Sequence, residues 1–314
     1  MQDGRMNWNC CRWRHGGDRV MDPVDPAPVI SEEESEALEG MREDSSSGEP
    51  NAAQRPYMQN LFVMRHGERM DDADELWSET APRPWDPPLT EKGKYQAFVV
   101  GKRLKREGWD ITRVLVSPFL RCVQTAAEVV TALCLVDSSS DPSSSREAEI
   151  DPSKVKVSFE FGLSELMNAR AIRRPPEAAT SGAPSEAIPW HLDLSELAAM
   201  FPPGTFDTSV KSVWPQIPAW RESTADAHQR YASTLLSLAN KFVKENILCI
   251  THGQGVGVSV AEFQFLVYAV DYCAHSHVQR PIYSFSSDGS FSAGEWELLT
   301  ESGPSGVLYG KFKD

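Results

Sequence analysis

Three separated stretches carry side chains suited to phosphate: Arg65-His66-Gly67-Glu68-Arg69, Ser117-Pro118-Phe119-Leu120-Arg121 and Thr251-His252-Gly253. Guanidinium forks bind phosphate oxygens in pairs, and an imidazole can donate to phosphate or attack it. A neutral imidazole nitrogen attacks phosphorus in line once cationic neighbours lower its pKa and hold the phosphate at contact distance. The charge on the equatorial oxygens would be met by Arg65, Arg69, Arg121 and a donating His252. Because arginines bring the positive charge, no metal and no cofactor is expected. A second Arg-His-Gly string, Arg14-His15-Gly16, has no apolar strand before it and no partner motif, and reads as coincidence.

The elements around these stretches follow from periodicity and local breakers. Asn60 to Met64 is strand-like and delivers Arg65-His66-Gly67 at its end. Thr90 is a fitting N-cap for a helix to Glu107, with Gly108 as its stop. Val114-Leu115-Val116 makes a second strand, and Pro118 suits the first turn of a helix to about Val136. Val155 to Phe159 alternates as a third strand. A helix over about Thr224 to Glu245 precedes Ile247-Leu248-Cys249-Ile250, an apolar run of buried-strand type closed by Thr251-His252-Gly253. Pro281 to Phe285 and Trp296 to Leu299 look like later strands. Strands alternating with helices read as α/β. In a parallel sheet the carboxyl ends share one edge, so the three stretches converge on one crevice, where a helix N-terminus near Pro118 or Gly253 would add N–H donors.

The ordered set resembles the histidine phosphatase superfamily, branch 1 of the phosphoglycerate-mutase-like clan. Arg65-His66-Gly67, Ser117-Pro118-x-x-Arg121-x-x-Gln124-Thr125-Ala126, Thr251-His252-Gly253 and Pro88-Leu89-Thr90-x-x-Gly93-x-x-Gln96-Ala97 all match its pattern. The Arg69 of His-Gly-Glu-Arg and the stretch Phe161-Gly162-Leu163-Ser164-Glu165-Leu166 are similar to the branch of the UBASH3/Sts proteins and the ecdysteroid phosphatases. The resemblance implies a three-layer α/β/α sandwich with a mostly parallel central sheet. It makes His66 the nucleophile that forms a phosphohistidine, Arg65, Arg121 and His252 the phosphate clamp, and Arg69 its fourth member. Glu165 is its proton donor, with Glu160 as the competitor. The implied activity is phosphomonoester hydrolysis; phosphoglycerate-mutase-like transfer and a catalytically weak module that binds phosphorylated ligands are the alternatives. Mutases of the family follow Arg-His-Gly with Ser and then Asn; Glu68, Arg69, Met70 and Asp71 stand there instead, which favours hydrolysis.

Bulk properties bound the rest. A net charge of −14 over 314 residues argues against a general nucleic-acid binder and against attraction to anionic membranes. No apolar run reaches membrane-spanning length. Cys10, Cys11, Cys122, Cys134, Cys249 and Cys273 show no CxxC spacing, which points to a reducing compartment and a cytoplasmic protein. Residues 1–56, rich in Glu, Ser, Asp, Pro and Gly, read as a disordered acidic arm, and 57–314 as the catalytic domain with flexible insertions near 137–152 and 170–190. His191, His228, His275 and His277 have no companions at metal spacing and receive no role. The partner expected is a phosphorylated small molecule or a phosphoprotein, with no nucleic acid and no membrane insertion; a homodimer could form.

Overall fold

Nine strands and eight α-helices make up the described part of a computed structural model of the chain, which covers residues 56–136, 142–184, 188–285 and 290–311. The N-terminal arm, Pro56 apart, lies outside these residues. In chain order the elements are β1 (Tyr57–Arg65), α1 (Met70–Ala73), α2 (Trp77–Thr80), α3 (Glu91–Arg106), β2 (Ile111–Val116), α4 (Leu120–Leu133), β3 (Lys156–Phe159), α5 (Glu177–Thr180) and α6 (Leu194–Ala198). There follow α7 (Thr224–Lys241), β4 (Asn246–Thr251), α8 (Gly253–Ala261), β5 (Phe265–Val270), β6 (His275–Phe285), β7 (Phe291–Ala293), β8 (Glu297–Leu298) and β9 (Val307–Lys311).

Successive strand side chains point to opposite faces, so an unbroken apolar strand must be covered on both. That is the situation of β1. Phe62 and Met64 pack with Val114, Val116, Leu248 and Ile250 beneath Ala97, Leu104, Val123 and Ala126 of α3 and α4. Leu61 and Val63 pack with Leu115, Ile247 and Cys249 beneath Leu235, Leu238, Val256 and Val260 of α7 and α8. The result is the three-layer α/β/α sandwich. Its sheet runs β3-β2-β4-β1-β6-β7, with β8 on β6. The run from β3 to β1 is parallel, and β6 extends it antiparallel to β1. A two-stranded ribbon, β5 with β9, stands apart from this sheet.

Register brings the strand ends level. Arg65 pairs with Thr251, Val116 with Ile250 and Phe159 with Val116. The chain then leaves β1, β2, β3 and β4 at His66, Ser117, Glu160 and His252 along one edge, and the backbone bonds His66 N to Thr251 O at 3.0 Å and Ser117 N to Ile250 O at 3.0 Å fix that edge.

Local signals act where the sequence placed them at the first long helix. Thr90 caps α3 by accepting from Gly93 N at 2.9 Å, and Gly108 ends its neighbourhood at φ +80°. A glycine pair fastens this helix to the turn that carries His66. A Cβ on Gly67 would lie 2.5 Å from Gly93 O, and one on Gly93 would meet Glu68 N at 2.8 Å and Glu68 O closer still. Gly93→Ala is therefore expected to lower stability by about 3 kcal/mol through overpacking against backbone. Gly257→Ala in α8, whose Cβ would meet nothing nearer than 4.0 Å, should raise it by about 0.5–1 kcal/mol through helix propensity. Urea unfolding of the two variants side by side reads the opposite signs.

Three boundaries differ from expectation. Helix α4 begins at Leu120, because Phe119 is extended at φ −69°, ψ 136° and leaves Pro118 outside the first turn; it ends at Leu133. Helix α7 stops at Lys241, where Phe242 leaves helical geometry, and not at Glu245. Pro281 to Phe285 is the second half of a longer strand, β6. His275 and His277 face Phe62 in the core, His277 stacking on its ring at 4.1 Å.

Candidate active site

His66 is 1% exposed at the end of β1. Its Nδ1 lies 2.9 Å from Gly67 O. A carbonyl only accepts, so Nδ1 carries the proton and Nε2 keeps its lone pair. Burial first, then Arg121 and Arg65, hold the imidazole well below its ordinary pKa, so it is neutral at physiological pH. The turn after it is anchored by Gly67 N donating to Thr125 Oγ1 at 3.0 Å, which itself donates to Arg121 O at 2.7 Å. His66 and α4 are thus tied together by the Thr125 of the Gln-Thr-Ala string.

Arg121 is also 1% exposed. Its Nη2 donates to Glu165 Oε2 at 3.2 Å and lies 3.2 Å from His252 Nδ1. Its Nε and Nη1 have no hydrogen-bond partner among the described residues, a costly state for a buried guanidinium and one a phosphate would relieve. His252 caps α8 with its ring 5.5 Å from that of His66, centroid to centroid. Its Nε2 lies 3.0 Å from Ser117 Oγ and its Nδ1 3.1 Å from Glu165 Oε2. Burial, helped by Arg121, lowers His252 to about 4 against the pull of Glu165. Burial would raise the Glu165 carboxyl, but His252, Arg121 and Arg69 outweigh it and hold it well below the usual carboxylate range. For this coupled pair the consistent state is an ionised Glu165 accepting from Nδ1–H of a neutral His252, whose Nε2 accepts from Ser117.

Glu160, the other candidate acid, is committed elsewhere. Its carboxylate accepts from Gly162 N, Ser212 Oγ, Val213 N and Trp214 N at 2.7–3.1 Å, pinning the 212–214 loop to the end of β3. Arg65 donates to Val270 O at 2.5 Å, and its guanidinium carbon lies 4.2 Å from the centre of the Tyr272 ring. Arg69 donates to Asp71 at 3.0 Å and Asp72 at 3.3 Å, while its charge still lowers His66. Tyr272, which no motif singles out, donates its hydroxyl to Asp72 and sets its ring 5.8 Å from that of His66. It joins Arg65 and Arg69 into one wall.

His66, Glu165 and His252 offer ligand atoms within 4.8 Å of one another, close enough for a metal ion. Arg121 and Arg65 crowd the same space, and their charge favours an anion over a divalent cation. The arrangement therefore suits a phosphoryl group: the charges of Arg65, Arg69 and Arg121 acting on one spot, an unprotonated imidazole nitrogen and a carboxylate within reach. No helix among the described residues is long and apolar enough to cross a membrane.

The family model of the histidine phosphatase superfamily (branch 1) matches residues 61–141. The ecdysteroid-phosphate phosphatase of Drosophila melanogaster is 24% identical over 258 residues, covering 70% of this chain and 30% of that protein. The phosphohistidine phosphatase SixA of Escherichia coli (strain K12) is 40% identical over 78 residues, covering 25% of this chain and 44% of its own. The chain spans about a third of the length of ecdysteroid-phosphate phosphatase and of the human and mouse ubiquitin-associated and SH3 domain-containing protein B. Among solved structures, ecdysone phosphate phosphatase from Bombyx mori in complex with tungstate aligns with a TM-score of 0.49 at 21% identity, covering 77% of this chain and 92% of that one.

Proposed function

We propose that this chain, which belongs to the histidine phosphatase superfamily, hydrolyses phosphomonoesters through a phosphohistidine on His66. The observation that carries the reading is the state of His66: Nδ1 is committed to Gly67 O, leaving Nε2 unprotonated beside a buried Arg121 whose Nε and Nη1 make no hydrogen bond among the described residues. In the reaction Nε2 attacks phosphorus and the bond from phosphorus to the ester oxygen breaks, while Glu165, ionised in the free site, passes a proton taken up in the substrate complex to the departing alkoxide. Water then attacks the phosphohistidine as Glu165 takes its proton, which releases inorganic phosphate and restores His66. Arg65, Arg69, Arg121 and His252 hold the equatorial oxygens through both steps. No residue here needs a metal or cofactor.

Hydrolysis is favoured over transfer by the charges after Gly67. Glu68 is bonded to Thr90 and Lys92, and Arg69 to two aspartates, where the mutases that the chain resembles carry Ser and then Asn. Work in the cytoplasm fits the buried free thiols of Cys122, Cys134, Cys249 and Cys273. The substrate class is a phosphorylated small molecule or a phosphoprotein. Quenching the protein during turnover of a generic aryl phosphate tests the reading: an acid-labile, base-stable phosphoenzyme is expected. An acid-stable, base-labile adduct, or turnover with no phosphoenzyme, would overturn it.

A further inference from the structure

Asp86, in the Trp85-Asp86-Pro87-Pro88 turn ahead of α3, is fully buried yet has no part in the hydrolysis just described. Its Oδ1 accepts from Leu120 N, the first residue of α4, at 2.8 Å. The same oxygen lies 3.6 Å from Arg121 Nη1, and Oδ2 lies 3.6 Å from Arg83 Nη2 with no hydrogen bond of its own. Arg121 thus sits between two carboxylates, Glu165 on Nη2 and Asp86 on Nη1.

A neutral acceptor could serve Leu120 N equally well, so the hydrogen bond does not account for a charge at this place. A buried carboxylate beside a phosphate-binding arginine repels the dianion that the arginine attracts. We propose that Asp86 is a positioning residue and counter-charge for Arg121, holding the guanidinium toward the phosphate site while limiting how tightly it grips a phosphate dianion. The proposal rests on the phosphatase reading and names what regulates its clamp. A phosphatase that binds product too tightly turns over slowly, so a counter-charge at the clamp trades affinity for release.

The charge is conditional. Burial raises Asp86 to about 6, against Arg121 and Arg83. The groups facing it are Arg83 from its own turn and Arg121 and Cys122 from α4, with Glu165 and His252 behind Arg121; the Cys122 thiol is pushed up by burial and stays neutral. Lowering the pH through about 6 therefore discharges Asp86 while His66 and His252, both depressed by burial and Arg121, remain neutral.

The test uses Asp86→Asn, nearly the same shape and still an acceptor for Leu120 N, with inorganic sulfate as competitive inhibitor because it stays a dianion across the range. At pH 7.5 the variant should bind sulfate about tenfold more tightly than the parent, with KM and kcat both lowered, as expected when one charge beside an anion site is removed. At pH 5 the two proteins should agree within about twofold, since the parent has then lost the same charge. Equal or weaker sulfate binding by Asp86→Asn at pH 7.5, or a difference that persists at pH 5, overturns the proposal. Should the variant not fold, the parent alone decides: its sulfate affinity must tighten from pH 7.5 to 5, and a flat profile refutes the role. Failure of the underlying phosphatase reading is separate, because it would show as absence of a phosphoenzyme in parent and variant alike.

Discussion

Replacing His66 by alanine is expected to reduce turnover of an aryl phosphate by at least ~10⁴-fold, the scale seen when a covalent nucleophile is removed and only binding and charge stabilisation remain. The phosphoenzyme should vanish with it. The fold should survive, because the turn is held by backbone groups: His66 N to Thr251 O, Gly67 N to Thr125 Oγ1 and Cys273 N to His66 O at 3.2 Å. Circular dichroism and the urea midpoint report that survival independently of rate. His15→Ala is the matched control, since His15 stands in the other Arg-His-Gly string, and it should keep parental turnover and the full phosphoenzyme yield. Turnover by His66→Ala within about tenfold of the parent would leave the covalent mechanism without support, whatever the pocket binds.

The reason His66 and not His15 carries this expectation was partly legible in the sequence. An apolar run before Arg65-His66-Gly67 is a local pattern, as are the Thr90 cap and the Gly108 stop, and each matches the structure. What lay beyond local pattern is what distant chain supplies. The start of α4 is fixed by Asp86, whose carboxylate receives Leu120 N from 34 residues away, so proline preference at Pro118 could not locate it. The end of α7 is fixed by Gln59 on β1, whose amide donates to Ala239 O at 2.8 Å and Phe242 O at 3.0 Å, satisfying carbonyls that a longer helix would have used. Glu165 was preferred over Glu160 only through its place in the Gly162-Leu163-Ser164-Glu165 stretch; the fold adds what no local pattern carries, the 212–214 loop at Glu160 and His252 with Arg121 at Glu165. Tyr272 had no motif to mark it; its place beside Arg65 and Asp72 arises from the pairing of β1 with β6. The β5–β9 ribbon lay beyond local pattern because it joins Phe265–Val270 to Val307–Lys311 across the whole of β6 to β8.

Glu165→Gln carries the second large effect, and it divides by leaving group. An alkyl phosphate needs a proton on its departing oxygen, so kcat should fall about 10²–10⁴-fold. A nitrophenyl phosphate departs as a stable phenoxide, so His66 should still be phosphorylated quickly, while hydrolysis of the phosphohistidine slows for want of a base. The expected trace is a burst of one nitrophenolate per chain followed by slow turnover, with phosphoenzyme accumulating. The pH dependence gives the sign. In the unliganded site Glu165 is held ionised by His252, Arg121 and Arg69, so the free protein does not bring the proton. It must arrive on the substrate monoanion, or on Glu165 once a phosphate dianion has drawn Arg121 and His252 to itself and released the carboxyl toward its ordinary range. Either route requires the same one proton in the complex. For the parent, kcat/KM on an alkyl phosphate should therefore fall about tenfold per pH unit above the second ionisation of the ester, near pH 6. With nitrophenyl phosphate, where no proton is needed for departure, that requirement falls away in parent and Glu165→Gln alike. Glu160→Gln should lower stability by unpinning the 212–214 loop and leave the limb in place. An unchanged alkyl-phosphate rate in Glu165→Gln, or a limb that moves only in Glu160→Gln, would transfer the proton to the other carboxylate.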